Sequence, residues 1–382
     1  MLLVATATQW LGAARMPRWL ARAGFDVSVL IPKGSLAEKS RFVSRIGYLP
    51  HNATSREWVY AFAATVKATQ PRLVLPCDDT ALRLLMLLAT SPPPDMQAQL
   101  KVELGVLIAD SLGDPRFYRT SIDKTMISPA AEAMGIPVPP HLLASDMKVA
   151  EPFIAAHGFP IVVKRSQSTA GYGVAICQDR DALGAAFARL AAPAALDFGD
   201  SATGQVVLQA HVPGRVHFYM GSAWKGELLA GVAVEKLEGE PMGPTSVSRY
   251  FRSKPMHDFT ARLARGFALT GVFSPEYIVH ERTGEPVLLE LNRRMSHGTH
   301  IGGTFGLDFA STLHSAMNGT GATIRAELDD GEEHFRAHFP AEWIRDADSR
   351  WLRDVHVDIP WDEPELFQAL VERGRGQLRQ EG

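Results

Sequence analysis

The chain has 382 residues, 46% of them hydrophobic, and its 39 Lys and Arg set against 42 Asp and Glu leave a formal charge of -3. That length holds two or three domains with cores of their own, and the scattered basic residues exclude the electrostatic footprint of a nucleic-acid binder. No apolar run reaches about eighteen residues and the first segment lacks the basic front end of a secretory signal, so the expectation is a cytoplasmic protein without a membrane partner.

The first hundred or so residues alternate apolar runs with helical patterns. "MLLVA" reads as a strand, Ala13 to Ala23 as a helix, "FDVSVLI" as a strand, Arg56 to Thr69 as a helix and "RLVLP" as a third strand. That rhythm predicts a parallel sheet with helical crossovers. The dinucleotide fingerprint is absent after the first strand, which removes the main reason to expect a nicotinamide enzyme. Asp78 and Asp79 follow the third strand, where ligands bind in such sheets, but an N-cap for the helix near Thr80 is an equally physical role. Cys77 and Cys177 are too few and too far apart for a disulfide framework or a cysteine metal site.

A helical patch ends near Ile108, and a boundary is expected between Gly113 and Arg119. The prolines of "GIPVPP" then close off helical geometry. From there to about Asn318 strands, glycine turns and two or three helices are expected, and the tail from Thr320 carries enough tryptophan and turn residues to be ordered.

Within this region "PIVVK" reads as a strand ending at Lys164, and "SQSTAGYGV" follows with hydroxyls and two glycines. Gly171 and Gly173 permit close backbone approach, so such a loop can turn N–H groups toward phosphate oxygens. A glycine turn beside a solvated lysine has the same appearance. "VVLQAHVPG" places a strand end at Gln209 and a connector after it, a segment able to lie along a base edge. Further on, "VFSPEYIVHERTGEPVLLELNRR" reads as a hairpin. A three-residue loop of Arg282, Thr283 and Gly284 would set Glu276 opposite Glu290. Alternation then puts Glu290 and Asn292 on one face. Facing carboxylates need a positive charge between them, and two carboxylates with an amide oxygen suit magnesium. Of Arg293 and Arg294 one is expected to be functional, Arg294 by alternation, and one structural. His297 and His300 are one helical turn apart, for which substrate contact or a structural role is favoured over a transition metal.

Taken in order, "DK", "GIPVP", "FPIVVKR", "STAGYGV", "VVLQAHVPG", the hairpin carboxylate and "LLELNRR" resemble the ATP-grasp superfamily, particularly its carboxylate-amine and carboxylate-thiol ligases. The resemblance implies an α/β and α+β fold class, an ATP-grasp architecture after a Rossmann-like N-terminal domain. Residues 1–114 would be the preceding domain, 115–318 the two-part nucleotide-binding core and 319–382 a C-terminal extension packed on it. ATP and magnesium, or manganese in its place, are the implied cofactors; a small carboxylate and an amine or thiol are the implied substrates. Carried over by residue, Lys124 and Lys164 contact phosphates, and Ser168, Thr169, Gly171 and Gly173 belong to a phosphate lid. Gln209, His211 and Val212 form the adenine hinge, Glu276, Glu290 and Asn292 hold the metal, and Arg294 stabilises the transferred phosphate. The chain departs from the family at "QAH", where an acid is usual, at "GRVHF", which lacks the usual ribose acid, and at "NRR", which keeps the outer residues of "NPR".

The reaction so implied is activation of a carboxylate as an acyl phosphate, followed by attack of an amine or, less readily, a thiol, with release of ADP and phosphate. A phosphotransferase and a non-catalytic nucleotide-binding regulator are the alternatives. His297, Arg249 and Arg252 are the candidates for substrate anions. The tail either covers the site or forms a subunit contact, as in a homodimer.

Overall fold

The computed structural model describes residues 1–165, 173–191, 205–239, 244–321 and 324–381, the last five as backbone only. The chain divides into two compact units, one of Met1–Pro115, Phe218–Ser274 and Asn292–Gly382, the other of Arg116–His217 and Pro275–Leu291.

The first unit opens with a four-stranded parallel sheet of β1 (Leu2–Ala5), β2 (Val27–Pro32), β3 (Val43–Leu49) and β4 (Leu73–Pro76), in the order β3-β2-β1-β4. Strands β1 and β4 are buried at every position, as expected of parallel strands covered on both faces. The helix Ser55–Thr69 starts at a capping box in which Thr54 and Glu57 satisfy each other's end of the first turn. Gln70 in the left-handed region ends it. β3 is an addition to the expected elements, an edge strand with exposed Ser44 and Arg45 that gives little apolar signal.

The second unit holds a four-stranded antiparallel sheet of β5 (His141–Ala144), β6 (Ile161–Arg165), β7 (Val174–Cys177) and β8 (Val206–Ala210), in the order β5-β8-β6-β7. Helices Met147–His157 and Arg180–Leu190 contribute Phe153, Leu183 and Phe187 to its core, against Ile161, Val163, Val206 and Leu208. Because successive residues of β6 face opposite ways, burying Ile161 and Val163 turns Lys164 to the other face.

The remaining strands are β9 (Gly214–Trp224), β10 (Glu227–Gly239), β11 (Thr245–Phe251), β12 (Gly271–His280), β13 (Pro286–Asn292), β14 (Glu333–Ala337) and β15 (His356–Val357). They follow the order β13-β12-β9-β10-β11-β14-β15. In the first unit β10 and β11 pair antiparallel with Glu235 opposite Arg249, and β14 pairs antiparallel with β11 and parallel with β15. Leu366 and Leu370 of the last helix join the core that contains Leu2, Val27 and Leu73, so the end of the chain is packed with its beginning. Between residues 115 and 318 the described residues form six α-helices, where two or three were expected.

Candidate functional site

The second unit gathers two lysines and two glutamates. Asp123 caps the helix Lys124–Ala133, its Oδ1 accepting from the Thr125 N–H at 2.9 Å. Lys124, the first residue of that helix, is 9% exposed. An ammonium is unfavourable at the positive end of a helix, and here a carboxylate offsets it: Lys124 Nζ lies 3.0 Å from Glu290 Oε2. Lys164, on β6, stands in register with Val174 and Val207 and is 6% exposed. Burial and then the charge of Lys124 pull its pKa down to about 8, against the opposing pull of Glu290 and Glu276. Both glutamates are half-buried. The four side chains therefore form one electrostatic group in which either sign would be unstable alone.

The hairpin that carries the glutamates is closed differently from the expectation. His280 donates its N–H to the Glu285 carbonyl at 3.0 Å, and the Gly284 N–H returns to the His280 carbonyl at 2.8 Å. The loop is thus Glu281 to Gly284, four residues instead of three, with Gly284 at φ 70°. The turn alone does not impose Glu276 opposite Glu290; their shared influence on Lys164 is what associates them.

Gln209 is buried on β8, in register with His141 and Val162. His211 is exposed and Val212 half-buried, both beyond the strand. Gly214 must be glycine because a Cβ there would collide with the Val279 carbonyl oxygen. His217 is buried with Nδ1 3.0 Å from the Arg215 carbonyl, which gives it a structural role. The Gly173 carbonyl accepts from the Arg165 N–H at 2.8 Å. Ser168, Thr169 and Gly171 lie outside the described residues.

In the first unit the segment after Asn292 separates the two arginines. Arg293 is 4% exposed and donates to the Leu112 carbonyl, at the carbonyl-rich end of helix Ala98–Leu112. Arg294 is partly exposed, its Nε 3.0 Å from Asp79 Oδ1. Asp78 caps the helix Asp79–Thr90 through the Ala81 N–H at 2.7 Å and also accepts from Ala7 and Thr8 of the first loop, at 2.7 and 3.1 Å. His297 is half-buried, with its ring 5.3 Å from that of His338. Burial and neighbouring His300 pull its pKa down to about 4.

Arg249 is paired with Glu235 at 2.7 Å and Glu333 at 2.9 Å, and Arg252 with Glu327 at 3.2 Å and Asp330 at 2.6 Å. Arg249 also faces the side of β11 opposite to Ser248, whose hydroxyl is 2.8 Å from His338 Nε2. The structure thus does not place Arg249 with His297. Sequence reading did not single out Arg15, Tyr250, His338 and Asp358, which the fold buries. Arg15 and Asp358 are 343 positions apart, and no local pattern could have joined them.

Among the described residues no three His, Cys, Asp or Glu side chains converge on a metal position. Two carboxylate groups are nonetheless the donor set that suits magnesium, which needs few protein ligands when phosphate oxygens and water complete its shell.

The family described as the carbamoyl-phosphate synthase L chain, ATP binding domain, matches residues 123–214. No curated protein matches the sequence. Among solved structures, the biotin carboxylase domain of Hydrogenobacter thermophilus 2-oxoglutarate carboxylase, in complex with MgADP, ADP and bicarbonate, is similar with a TM-score of 0.65 at 14% identity, over 87% of this chain and 73% of that one. N5-carboxyaminoimidazole ribonucleotide synthetase from Thermus thermophilus has a TM-score of 0.61 at 13% identity, over 88% and 82% of the two chains. The L-amino acid ligase of Bacillus licheniformis has 0.59 at 14%, over 87% and 78%. The chain has the ATP-grasp fold in its biotin-carboxylase-like form.

Proposed function

We propose that this chain is an ATP-dependent ligase that activates a substrate carboxylate as an acyl phosphate and joins it to an amine, with a thiol as the lesser alternative. The observation that supports this most is the group of Lys124, Lys164, Glu276 and Glu290, two buried cations beside two carboxylates, on a fold whose similar structures include carboxylases and ligases. In this reading the two lysines hold phosphate oxygens, and Gln209 to Val212 border the base. Glu276 and Glu290 hold magnesium, with Asn292 two residues further along the same strand. When bound, magnesium supplies positive charge to the phosphate oxygens. Lys164 is buried among valines, where a fixed ammonium stabilises developing charge more than it would in water. Arg294 is the cation for the transferred phosphoryl group, held ready by Asp79. Residues 115–318 would then serve as the nucleotide-binding core, 1–114 as the domain before it and 319–382 as the extension.

The test is release of ADP from the full chain, screened over paired carboxylates and amines or thiols, with mass measurement of any product. Glu290→Gln keeps the shape and removes the charge. It should lower magnesium-dependent turnover by on the order of 100-fold, the scale of losing one preorganised electrostatic contact. Unchanged turnover and magnesium dependence would remove Glu290 from the metal site. ADP without a joined product would mark a phosphotransferase instead.

A further inference from the structure

A second polar cluster is buried in the first unit, on residues that the nucleotide reading does not use. Arg15 ends the turn Leu11–Arg15 and its guanidinium pairs with the Asp358 carboxylate. His300 Nε2 meets the same carboxylate at 2.8 Å. Burial opposes ionisation of Asp358, but His300 and Arg15 beside it hold its carboxyl well below the usual range. His338 is joined to Ser248 on β11, and Tyr250, two residues along, shares that face. A Cβ on Gly298 would lie 2.9 Å from the Tyr250 hydroxyl and 3.1 Å from the His338 ring. The cluster is therefore continuous with the loop that carries His297 and His300.

Its distinguishing feature is incomplete hydrogen bonding. Arg15 Nε and Nη1, His300 Nδ1 and His338 Nδ1 are buried without a hydrogen-bond partner, and the buried Tyr250 hydroxyl has only the Ser248 hydroxyl beside it, outside good hydrogen-bond geometry. Buried polar atoms are almost always paired, so several orphans in one connected group call for a common explanation. Arg15 and Tyr250 supply donors, and His338 Nδ1 carries a proton whenever Ser248 donates to Nε2. The carboxylate already present is engaged by Arg15 and His300. Glu363, whose buried Oε2 also lacks a partner, lies within reach of the Arg15 charge, yet the donors of the group outnumber the acceptors left to them.

We propose that this cluster binds the carboxylate of a small organic acid or amino acid as an anchor, Arg15 and Tyr250 donating to its oxygens and half-buried His297 lying beside His338 at its edge. A carboxylate engaged in this way has its lone pairs directed at donors, so it is the anchoring group and not the one that is activated. As a substrate site the cluster rests on the ligase reading; as a carboxylate site it stands without it.

The experiment measures thermal stability of the full chain with amino acids and short mono- and dicarboxylic acids at millimolar concentration, followed by calorimetry on any that act. At least one acid should raise the melting temperature of the wild type. Tyr250→Phe removes one oxygen that has at most the Ser248 hydroxyl beside it, so it should fold normally yet weaken that acid by about tenfold or more. Arg15→Lys should do the same, and if it fails to fold Tyr250→Phe still decides. The proposal is overturned if no acid acts, if Tyr250→Phe binds the acid as the wild type does, or if inorganic phosphate reproduces the effect. Magnesium-ADP serves as the parallel ligand. A chain that binds the acid and not the nucleotide would sink the ligase reading and leave the carboxylate site standing.

Discussion

Lys164 shows how one buried side chain links charge to function. Its pKa of about 8 lies below the ordinary 10.5, so between those values the folded protein binds fewer protons than the unfolded chain. From this group alone, stability rises with pH through that window, since the unfavourable buried ammonium is present in full below about 8 and discharged above it. Nucleotide affinity should move the opposite way, because the cation that holds phosphate is the species being lost. We expect an ATP analogue to bind several-fold more weakly at pH 9 than at pH 7 by calorimetry, and Lys164→Arg to flatten the profile. A flat wild-type profile would exclude Lys164 as a phosphate contact. Glu290→Gln should displace the fall in affinity to lower pH, since Glu290 supports the charged form of Lys164. The neighbouring arginines divide in another way. Arg293→Ala strips a buried helix-end carbonyl of its donor and should destabilise by about 2–3 kcal/mol in denaturant titration. Arg294→Ala, at a partly exposed side chain, should leave stability within about 1 kcal/mol while lowering turnover. Alternation marked Arg294 as the candidate functional residue, but only the fold revealed what Arg293 holds.

Among elements, what was legible followed from how strongly burial patterns the residues. The apolar runs of β1, β2 and β4 could be read directly. β3 could not, because an edge strand with exposed Ser44 and Arg45 lacks the run that marks its neighbours. Helices Lys124–Ala133 and Met147–His157 carry Pro129 and Pro152 inside them, and proline reads in sequence as an interruption. The hairpin was visible as two strands, while its loop length was set by backbone hydrogen bonds that composition does not specify. Two glycines test the packing of these elements in opposite directions. Gly214→Ala drives a Cβ into the Val279 carbonyl and should destabilise by about 1–3 kcal/mol. Gly184→Ala, inside helix Arg180–Leu190 with nothing within 4 Å, should stabilise by up to about 1 kcal/mol. Equal effects at the two sites, measured by urea titration, would contradict the packing at Gly214.

At the scale of the whole molecule, the first unit draws on three separated stretches, Met1–Pro115, Phe218–Ser274 and Asn292–Gly382. Its core is incomplete until the last helix is made, since Leu366 and Leu370 are fully buried with residues of the first strands. Charge repeats the pattern: Arg15 pairs with Asp358, while Arg18 and Arg22 meet Asp362 at 2.7 and 3.0 Å. Removing residues 356–382 would therefore leave Arg15 as a buried cation without its carboxylate and open the apolar core at the same time. Breaking a buried pair from one side destabilises by about 3–5 kcal/mol before any lost apolar burial is counted. That is a large share of the roughly 5–15 kcal/mol typical of a folded domain. The shortened chain should lose its cooperative unfolding transition, followed by circular dichroism, or fail to remain soluble. Asp358→Asn tests the charge alone: it keeps a polar group beside Arg15 and His300 and leaves the core closed. It should lower the melting temperature yet preserve a cooperative transition, and a truncated chain that unfolds as cooperatively as the full one would show that the first unit does not depend on its last segment.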